Sequence, residues 1–467
     1  MKVTIKNFGA VREAEIELKP LTVFVGPNNT GKTWTANIIS AILGPYGWGK
    51  YANAYSEGKV PFSYPPLEDA VKRILEEGNA KIDLVKFFEE FGSAYFNNVA
   101  LLAPQWTQMF LGTRLASFKE TEFKIALQNQ DIEIKEILDS TVNSKFSISK
   151  KGEALLSALK ESGDTSLYFF TAGSGILEKF PVRAIKEFIV SLVFQVIHRA
   201  LYNFVYIFPA ERTAFAILAL SAKINRKTDA DEVIKNDLRA DKIFLGDPIV
   251  MLMNTVTQMR LIGSHAARIE QAKNDKRIEN YLKLAEILQN NILEGHLDFS
   301  TPEPDPLREV VFQPNQGKGV DLDMPIVSSM VKELSMFVLY LLYEAKPNDL
   351  LVIDEPEMHL HPEAQAKFTE FLAMLINAGL NIIITTHSPY LVDHLINLVK
   401  AAEHNDQETL KEKFFLKRSD AFIPKNKVSA YLFEENTAKN IMDETGFIDW
   451  ETFGEVSDRI MQLRLEL

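Results

Sequence analysis

The octapeptide GPNNTGKT, Gly26–Thr33, carries the residue types and spacing of a loop built to hold phosphate. It fits G-x-x-x-x-G-K-[ST] in full, directly after an apolar strand and before a helical pattern, which is the context that pattern requires. Backbone N–H groups of Asn29–Lys32 would cradle a β-phosphate at a helix start. The Lys32 ammonium would reach the β- and γ-phosphates, and the Thr33 hydroxyl would meet Mg²⁺. Gly31 lets the chain close on phosphate without a Cβ in the way. Gly26, Pro27, Asn28, Asn29, Thr30, Gly31, Lys32 and Thr33 are therefore the expected nucleotide-binding residues. The competing reading is a glycine-rich turn that merely starts a helix.

Two further stretches place reactive side chains at strand ends. LLVIDEPEMHLHPEAQ, Leu350–Gln365, runs four apolar residues into adjacent carboxylates. In open α/β sheets ligands bind beyond the carboxyl ends of such strands. Asp354 is expected as the Mg²⁺ partner of Thr33, and Glu355 as the group that polarises attacking water. Without a phosphate loop the pair would read as solvated surface. His359 and His361, near Glu357 and Glu363, have the composition of a zinc site, although loop packing and interface contacts explain them as well. NIIITTHSPYLVD, Asn381–Asp393, is a second apolar strand, with His387 at its mouth. An imidazole there can donate to a γ-phosphate oxygen and steady the water. The plainer alternative is a core histidine just before a helix started by Ser388 or Pro389.

The elements that must position these groups follow from hydrophobic periodicity. VTIKNF (Val3–Phe8) and AEIEL (Ala14–Leu18) alternate as strands, LTVFV (Leu21–Val25) is a buried strand, and TANIISAIL continues as a helix that GPYGWGK (Gly44–Lys50) stops. Residues 50–120 read as helical. FKIAL (Phe123–Leu127), IEIKEIL (Ile132–Leu138), KFSIS (Lys145–Ser149) and LYFF (Leu167–Phe170) read as an added antiparallel sheet. A long helix is expected over Ala184–Leu201 and a buried strand at Val205–Phe208. Residues 215–295 are mainly helical, TPEPDP (Thr301–Pro306) is a linker or hairpin entrance, and from Pro325 strands and helices alternate. The predicted class is α/β: a P-loop NTPase head with a mixed sheet core, an added antiparallel sheet and a helical insertion. The head would comprise residues 1–212 and 308–467, and the insertion, a partner-docking lobe, residues 213–307.

Composition sets outer bounds. With 467 residues and 46% hydrophobic content the chain can bury a sizeable core. The absence of cysteine excludes disulfides and thiolate metal sites. A net charge of -12 argues against a uniformly basic nucleic-acid binder, while leaving room for a local basic channel. MKVTIKNFGAV lacks the apolar run of a signal peptide, and FLAMLI (Phe371–Ile376) is too short to span a bilayer, so a cytoplasmic protein without membrane contact is expected.

Phosphate loop, acidic strand and histidine strand stand in the order of an ABC-type ATPase head. The chain resembles the small ATPases related to the SMC and RecF families, a group that includes OLD-type and other defence-system ATPases. The likeness covers residues 1–50 and 320–395 closely. By this resemblance Gly26–Thr33 is the Walker A, Leu350–Glu355 the Walker B, Leu360–Glu363 the D-loop, and His387 the switch histidine. VSSMVKEL, Val327–Leu334, stands where the family signature belongs. Ser328 and Ser329 then resemble the serines that contact the γ-phosphate of the opposite protomer, Glu333 resembles an acidic position of some variants, and Met330 replaces the usual glycine. The family's Q-loop has no clear counterpart. FPAERTAF, Phe208–Phe215, offers Glu211 or Arg212 as a monitor of metal or γ-phosphate, with a salt-bridged loop as the alternative.

The resemblance implies ATP and Mg²⁺ as ligands, slow or ordinary ATP hydrolysis, and a homodimer or higher homo-oligomer with composite ATP sites. It implies a nucleotide-switched sensor or scaffold for a separate effector, a nuclease or toxin, in anti-phage defence. A RecF-like DNA-repair ATPase that binds DNA, and an ATP-gated scaffold with little turnover, are the alternatives. The residues after Asp393 read as a sheet edge and docking surface, not as a nuclease domain.

Overall fold

A computed structural model of the chain describes residues 1–128, 134–147, 155–171, 181–213, 247–259, 264–299, 309–316, 319–448, 459 and 461–463. The expected linker at 301–306 and much of the segment 213–307 lie outside these. The chain divides into two compact units, one of Met1–Lys6, Ile38–Thr107 and Phe118–Val205, the other of Asn7–Asn37, Gln108–Ser117 and Tyr206–Leu467.

In the first unit, strand β1 (Lys2–Phe8) pairs antiparallel with β5 (Glu122–Ala126), Val3 opposite Ile125. Strands β4 (Asn79–Asp83), β6 (Val142–Phe146), β7 (Leu156–Lys160) and β8 (Ser166–Thr171) form the added antiparallel sheet, in the order β4-β8-β7-β6. Its membership differs from the sequence reading. FKIAL joins β1, NAKID and LSALK supply two unforeseen strands, and the IEIKEIL stretch holds a helix, Ile134–Asp139. There Ile134, Ile137 and Leu138 follow helical i, i+3, i+4 spacing, and Ile137 is the residue that is buried. GPYGWGK does end the preceding helix at Leu43, but Pro45 at once starts another, Pro45–Ser56, because proline suits the first helical turn. This unit's core is aromatic: Phe194 packs on Tyr51, Tyr55, Tyr64, Phe87 and Tyr95. The polar tips find partners, Tyr51 with Tyr64 at 2.8 Å and Tyr95 with His198 Nδ1 at 3.1 Å.

The second unit holds the site. Its strands are β2 (Val11–Glu17), β3 (Leu21–Val25), β9 (Val205–Phe208), β13 (Leu350–Asp354), β14 (Asn381–Thr386), β15 (Val428–Glu434) and β16 (Thr437–Asn440). They lie in the order β2-β16-β15-β3-β14-β13-β9. β15, β3, β14 and β13 are mutually parallel, while β16 turns back antiparallel on β15, so the sheet is mixed. The parallel strands are buried along their length, as their unbroken apolar runs require. For the same reason KVSAYLF is no sheet edge: Val428–Phe433 are buried and β15 lies between β16 and β3.

Register brings the expected site residues to one level. Asp354 pairs with Thr385, and Thr386 pairs with Val25. Three adjacent strands therefore end together, on the phosphate loop, on Asp354-Glu355 and on Thr386-His387. A small antiparallel sheet, β10 (Gly295–Phe299), β11 (Val310–Pro314) and β12 (Leu322–Asp323), precedes the helix Ser329–Tyr343. The helices Ser264–Asn274 and Lys276–Leu288 are tied to the rest of this unit by Arg268 Nη2 donating to Ala345 O (2.5 Å) and Tyr281 OH to Ala378 O (2.9 Å). Among the described residues no helix is long and apolar enough to cross a membrane.

Candidate nucleotide site

The phosphate loop leaves β3 through Gly26, whose φ of +136° only glycine adopts readily. A Cβ there would lie 2.4 Å from the Phe433 carbonyl oxygen on β15. Gly31 (φ +96°) is held as tightly: its Cβ would meet Val11 Cγ2 at 2.9 Å. Asn29 takes the left-handed turn between them at φ +64°, which asparagine tolerates. Thr30 fastens the loop by donating to Pro27 O (2.9 Å). The helix Lys32–Leu43 follows, so its free N–H groups and positive dipole end face the loop.

Lys32 is buried and folds back on its own loop, donating to Gly26 O (2.8 Å) and Pro27 O (2.7 Å). Burial pulls its pKa down to about 8, against the opposing pull of Glu355, Asp354 and Glu357. Thr33 Oγ1 donates to Asp354 Oδ1 at 2.8 Å. The Thr385 hydroxyl donates to the same oxygen, so two hydroxyls orient a carboxylate that is 5% exposed.

Glu355 sits at φ +46°, a left-handed conformation that costs a non-glycine residue energy. Its N–H is shared by Thr385 O (3.1 Å) and Thr385 Oγ1 (3.2 Å). Its carboxylate Oε1 lies 3.5 Å from His387 Nε2. Burial first, then the neighbouring Asp354 and Glu357 carboxylates, raise the Glu355 pKa above the ordinary glutamate value. His387 is shifted down, by burial and then by Lys32, and is therefore a neutral imidazole near pH 7. Glu357, a residue the sequence reading noted only beside the histidines, anchors the histidine strand. Its Oε1 accepts from His387 N (2.6 Å) and Thr386 Oγ1 (2.8 Å).

A cavity of about 760 Å³ opens over this level, lined by Gly9, Ala10, Asn28–Trp34, Glu355 and His387. The phosphate loop, Glu355 and His387 thus share one wall system, with Asp354 directly behind Thr33. Three expected residues stand elsewhere. Ser328 and Ser329 are exposed at the start of the helix Ser329–Tyr343, where Ser328 Oγ accepts from Val331 N (3.3 Å) as an N-cap, and neither lines the cavity. Met330 beside them is half-buried. Arg212, expected at the nucleotide, is fully buried and turned to the backbone of the acidic loop. His359 pairs with Glu333 Oε1 at 3.4 Å, and the described residues contain no group of three or more potential metal-binding side chains.

Residues 1–392 match the family described as AAA ATPase domain. The chain belongs to that family. Its fold is an α/β P-loop head of ABC-ATPase type, with a mixed central sheet, extra antiparallel sheets and helical insertions. A 74-residue stretch, 15% of this chain, is 35% identical to the Old nuclease of Escherichia phage P2, of which it covers 13%. A 175-residue stretch, 37% of this chain, is 23% identical to an uncharacterized protein of Methanocaldococcus jannaschii, covering 20% of it. The chain thus matches only about a fifth or less of these relatives' lengths. Among solved structures, an Smc head bound to the C-winged helix domain of ScpA aligns over 94% of this chain and 96% of its own at 12% identity and a TM-score of 0.36. The SMC head domain from Thermotoga maritima aligns over 94% and 97% at 11% identity and a TM-score of 0.30.

The same level also holds residues that no motif singled out. Thr385 and Thr386 were legible as two hydroxyls immediately before His387. Trp34 follows the phosphate loop directly and lines the cavity. The pairing of Arg212 with Glu333 left no sequence signal, because 120 residues of unrelated pattern separate them.

Proposed function

We propose that this AAA ATPase domain hydrolyses ATP to ADP and phosphate, and that its nucleotide state switches a separate effector. The observation that carries the catalytic part is the Thr33–Asp354 contact of 2.8 Å beside a cavity that also receives Glu355 and His387. The loop amides and the Lys32 ammonium would hold the β- and γ-phosphate oxygens, replacing the two carbonyls that Lys32 now contacts. The donor set fits Mg²⁺: a hydroxyl and a buried carboxylate are hard oxygen ligands already within 2.8 Å of each other. Thr33 and Asp354 would hold Mg²⁺, which when bound would supply charge neutralisation on the phosphates. Glu355, poised by its raised pKa to accept a proton, orients the attacking water. His387, as a neutral imidazole 3.5 Å from Glu355, donates to the γ-phosphate or to that water.

Ser328 and Ser329, exposed at a helix N-terminus, would be offered to the γ-phosphate of a second copy, making composite sites in a homodimer or larger homo-oligomer. Met330 beside them would slow closure and turnover. The effector reading is supported by the short stretch shared with the Old nuclease. In it, residues 213–307 carry partner contacts, the partner is a nuclease or toxin encoded separately, and the setting is cytoplasmic anti-phage defence.

The test is Mg²⁺-dependent ATP turnover by the purified chain and by Glu355→Gln. Turnover in the former, with ATP retained but not cleaved and dimers accumulating in the latter, is expected. A wild-type chain that binds no ATP overturns the reading. Co-purification with the products of neighbouring genes, with and without ATP, tests the effector. Recovery of duplex DNA alone would move the assignment to RecF-like repair.

A further inference from the structure

Arg212 is fully buried four residues beyond the end of β9 and contributes nothing to the cavity wall. Its guanidinium instead spreads over three elements. Nη1 donates to Pro209 O (3.0 Å) and to Asp354 O (2.6 Å), and Nη2 donates to Glu355 O (3.1 Å). Nε lies 2.9 Å from Glu333 Oε2, an ion pair whose angle is too oblique for a hydrogen bond. The flat face sits over the Phe337 ring, 5.8 Å from its centre, one turn further along the helix that carries Glu333. Lysine could not make this set of contacts, since it lacks the planar fork.

Each partner of Arg212 belongs to a part that has to act together with the others. Glu355 holds its left-handed backbone because Thr385 fixes its N–H from one side and Arg212 fixes its carbonyl from the other. Glu333 follows Ser329 by four residues, on the same face of one helix. The other Glu333 oxygen faces His359, itself left-handed at φ +60° in the turn that follows Glu355. A shift of the Ser328–Ser329 end of that helix would carry Glu333 with it and pull on Arg212, and so on the carbonyls of Asp354 and Glu355. Buried ion pairs contribute little net stability beside an apolar substitute, and registry is their best-attested use.

We propose that Arg212 is a positioning residue that transmits the placement of the Ser328–Ser329 helix to the Glu355 carboxylate, through Glu333. The inference rests on the ATPase reading above and deepens it. In this scheme the general base is aligned for water only when the serine end of the helix is correctly seated, so engagement of a second copy and bond cleavage become linked.

The experiment compares Arg212→Lys, Glu333→Gln and the double variant with the wild-type chain, by ATP affinity, kcat and melting temperature. Wild-type turnover that Glu355→Gln abolishes must be seen first; without it the ATPase reading fails, independently of Arg212. Given that turnover, each single variant is expected to bind ATP within about threefold of wild type and to lose about 100-fold in kcat, the scale of a misplacement near 1 Å. The double variant should be little worse than either single one, the mark of a shared linkage. Arg212→Lys with wild-type kcat, fully additive losses, or parallel loss of ATP binding and kcat would each overturn the proposal. Should Arg212→Lys fail to fold, the isosteric Glu333→Gln decides alone: kcat lost with ATP affinity kept supports the linkage, and unchanged kcat sinks it.

Discussion

Thr33 Oγ1 and Asp354 Oδ1, 321 residues apart in the chain, meet at 2.8 Å, and Thr385 donates to the same carboxylate oxygen. Asn at 354 keeps an oxygen that can accept both hydroxyl hydrogens while removing the charge. Asp354→Asn should therefore melt close to the wild-type temperature and yet lose about 100-fold or more in Mg²⁺-dependent turnover. Differential scanning calorimetry beside a phosphate-release assay separates the two effects. A variant that unfolds early would show that Asp354 acts mainly in the fold.

Glu355 is pushed up by burial and by two neighbouring carboxylates, and only its ionised form can take a proton from water. As pH falls, the profile of kcat/KM, which reports the free enzyme, should lose activity at a higher pH than an ordinary glutamate would give. Weakening the like-charge contribution with Glu357→Gln should move that acid limb downward. A limb at the ordinary glutamate value, unmoved by Glu357→Gln, would remove Glu355 from the base role.

The fold's chemistry was legible where local pattern and site coincide. GPNNTGKT, LLVIDE and IIITTH each announce a buried strand running into polar groups, and the register of β3, β14 and β13 sets those ends side by side. What the sequence hid were relations without local periodicity. KVSAYLF reads the same whether central or at an edge, and only its pairing with β3 and β16 decides. IEIKEIL satisfies both alternation and helical spacing, so tertiary burial of Ile137 chose the helix. Arg212 was noticed for its charge, but no feature of FPAERTAF shows that its fork turns inward to backbone and Glu333.

Lys32 ties function to stability. Its pKa of about 8 in the fold, against about 10.4 for an unfolded lysine, means that the native chain binds fewer protons than the unfolded one between those values. Stability therefore rises with pH across that window, and below about pH 8 the charged, desolvated lysine costs the fold stability. Without nucleotide, the stability of wild type relative to Lys32→Met should climb from pH 8 to pH 10, measured by urea denaturation at each pH. A flat difference would mean that Lys32 keeps an ordinary pKa. ATP, supplying the missing anion, should abolish the slope for wild type.

Trp34 is the third residue of the helix that follows the phosphate loop, 38% exposed on the cavity wall. Its ring is wedged against Gly9, where an added Cβ would lie 2.9 Å from the indole, and stands 6.0 Å from Phe8 between ring centres. An indole so held is a stacking surface for a nucleotide base, worth roughly 1–3 kcal/mol per base in other systems. Trp34→Ala should raise the KM for ATP by about tenfold or more while leaving kcat near wild type, since stacking is equal in ground and transition states. Trp34→Phe should fall between them. The fluorescence change on adding ADP should also be lost in Trp34→Phe, although Trp48, Trp106 and Trp450 remain to emit. An unaltered KM together with an unaltered fluorescence response would place the base elsewhere in the cavity.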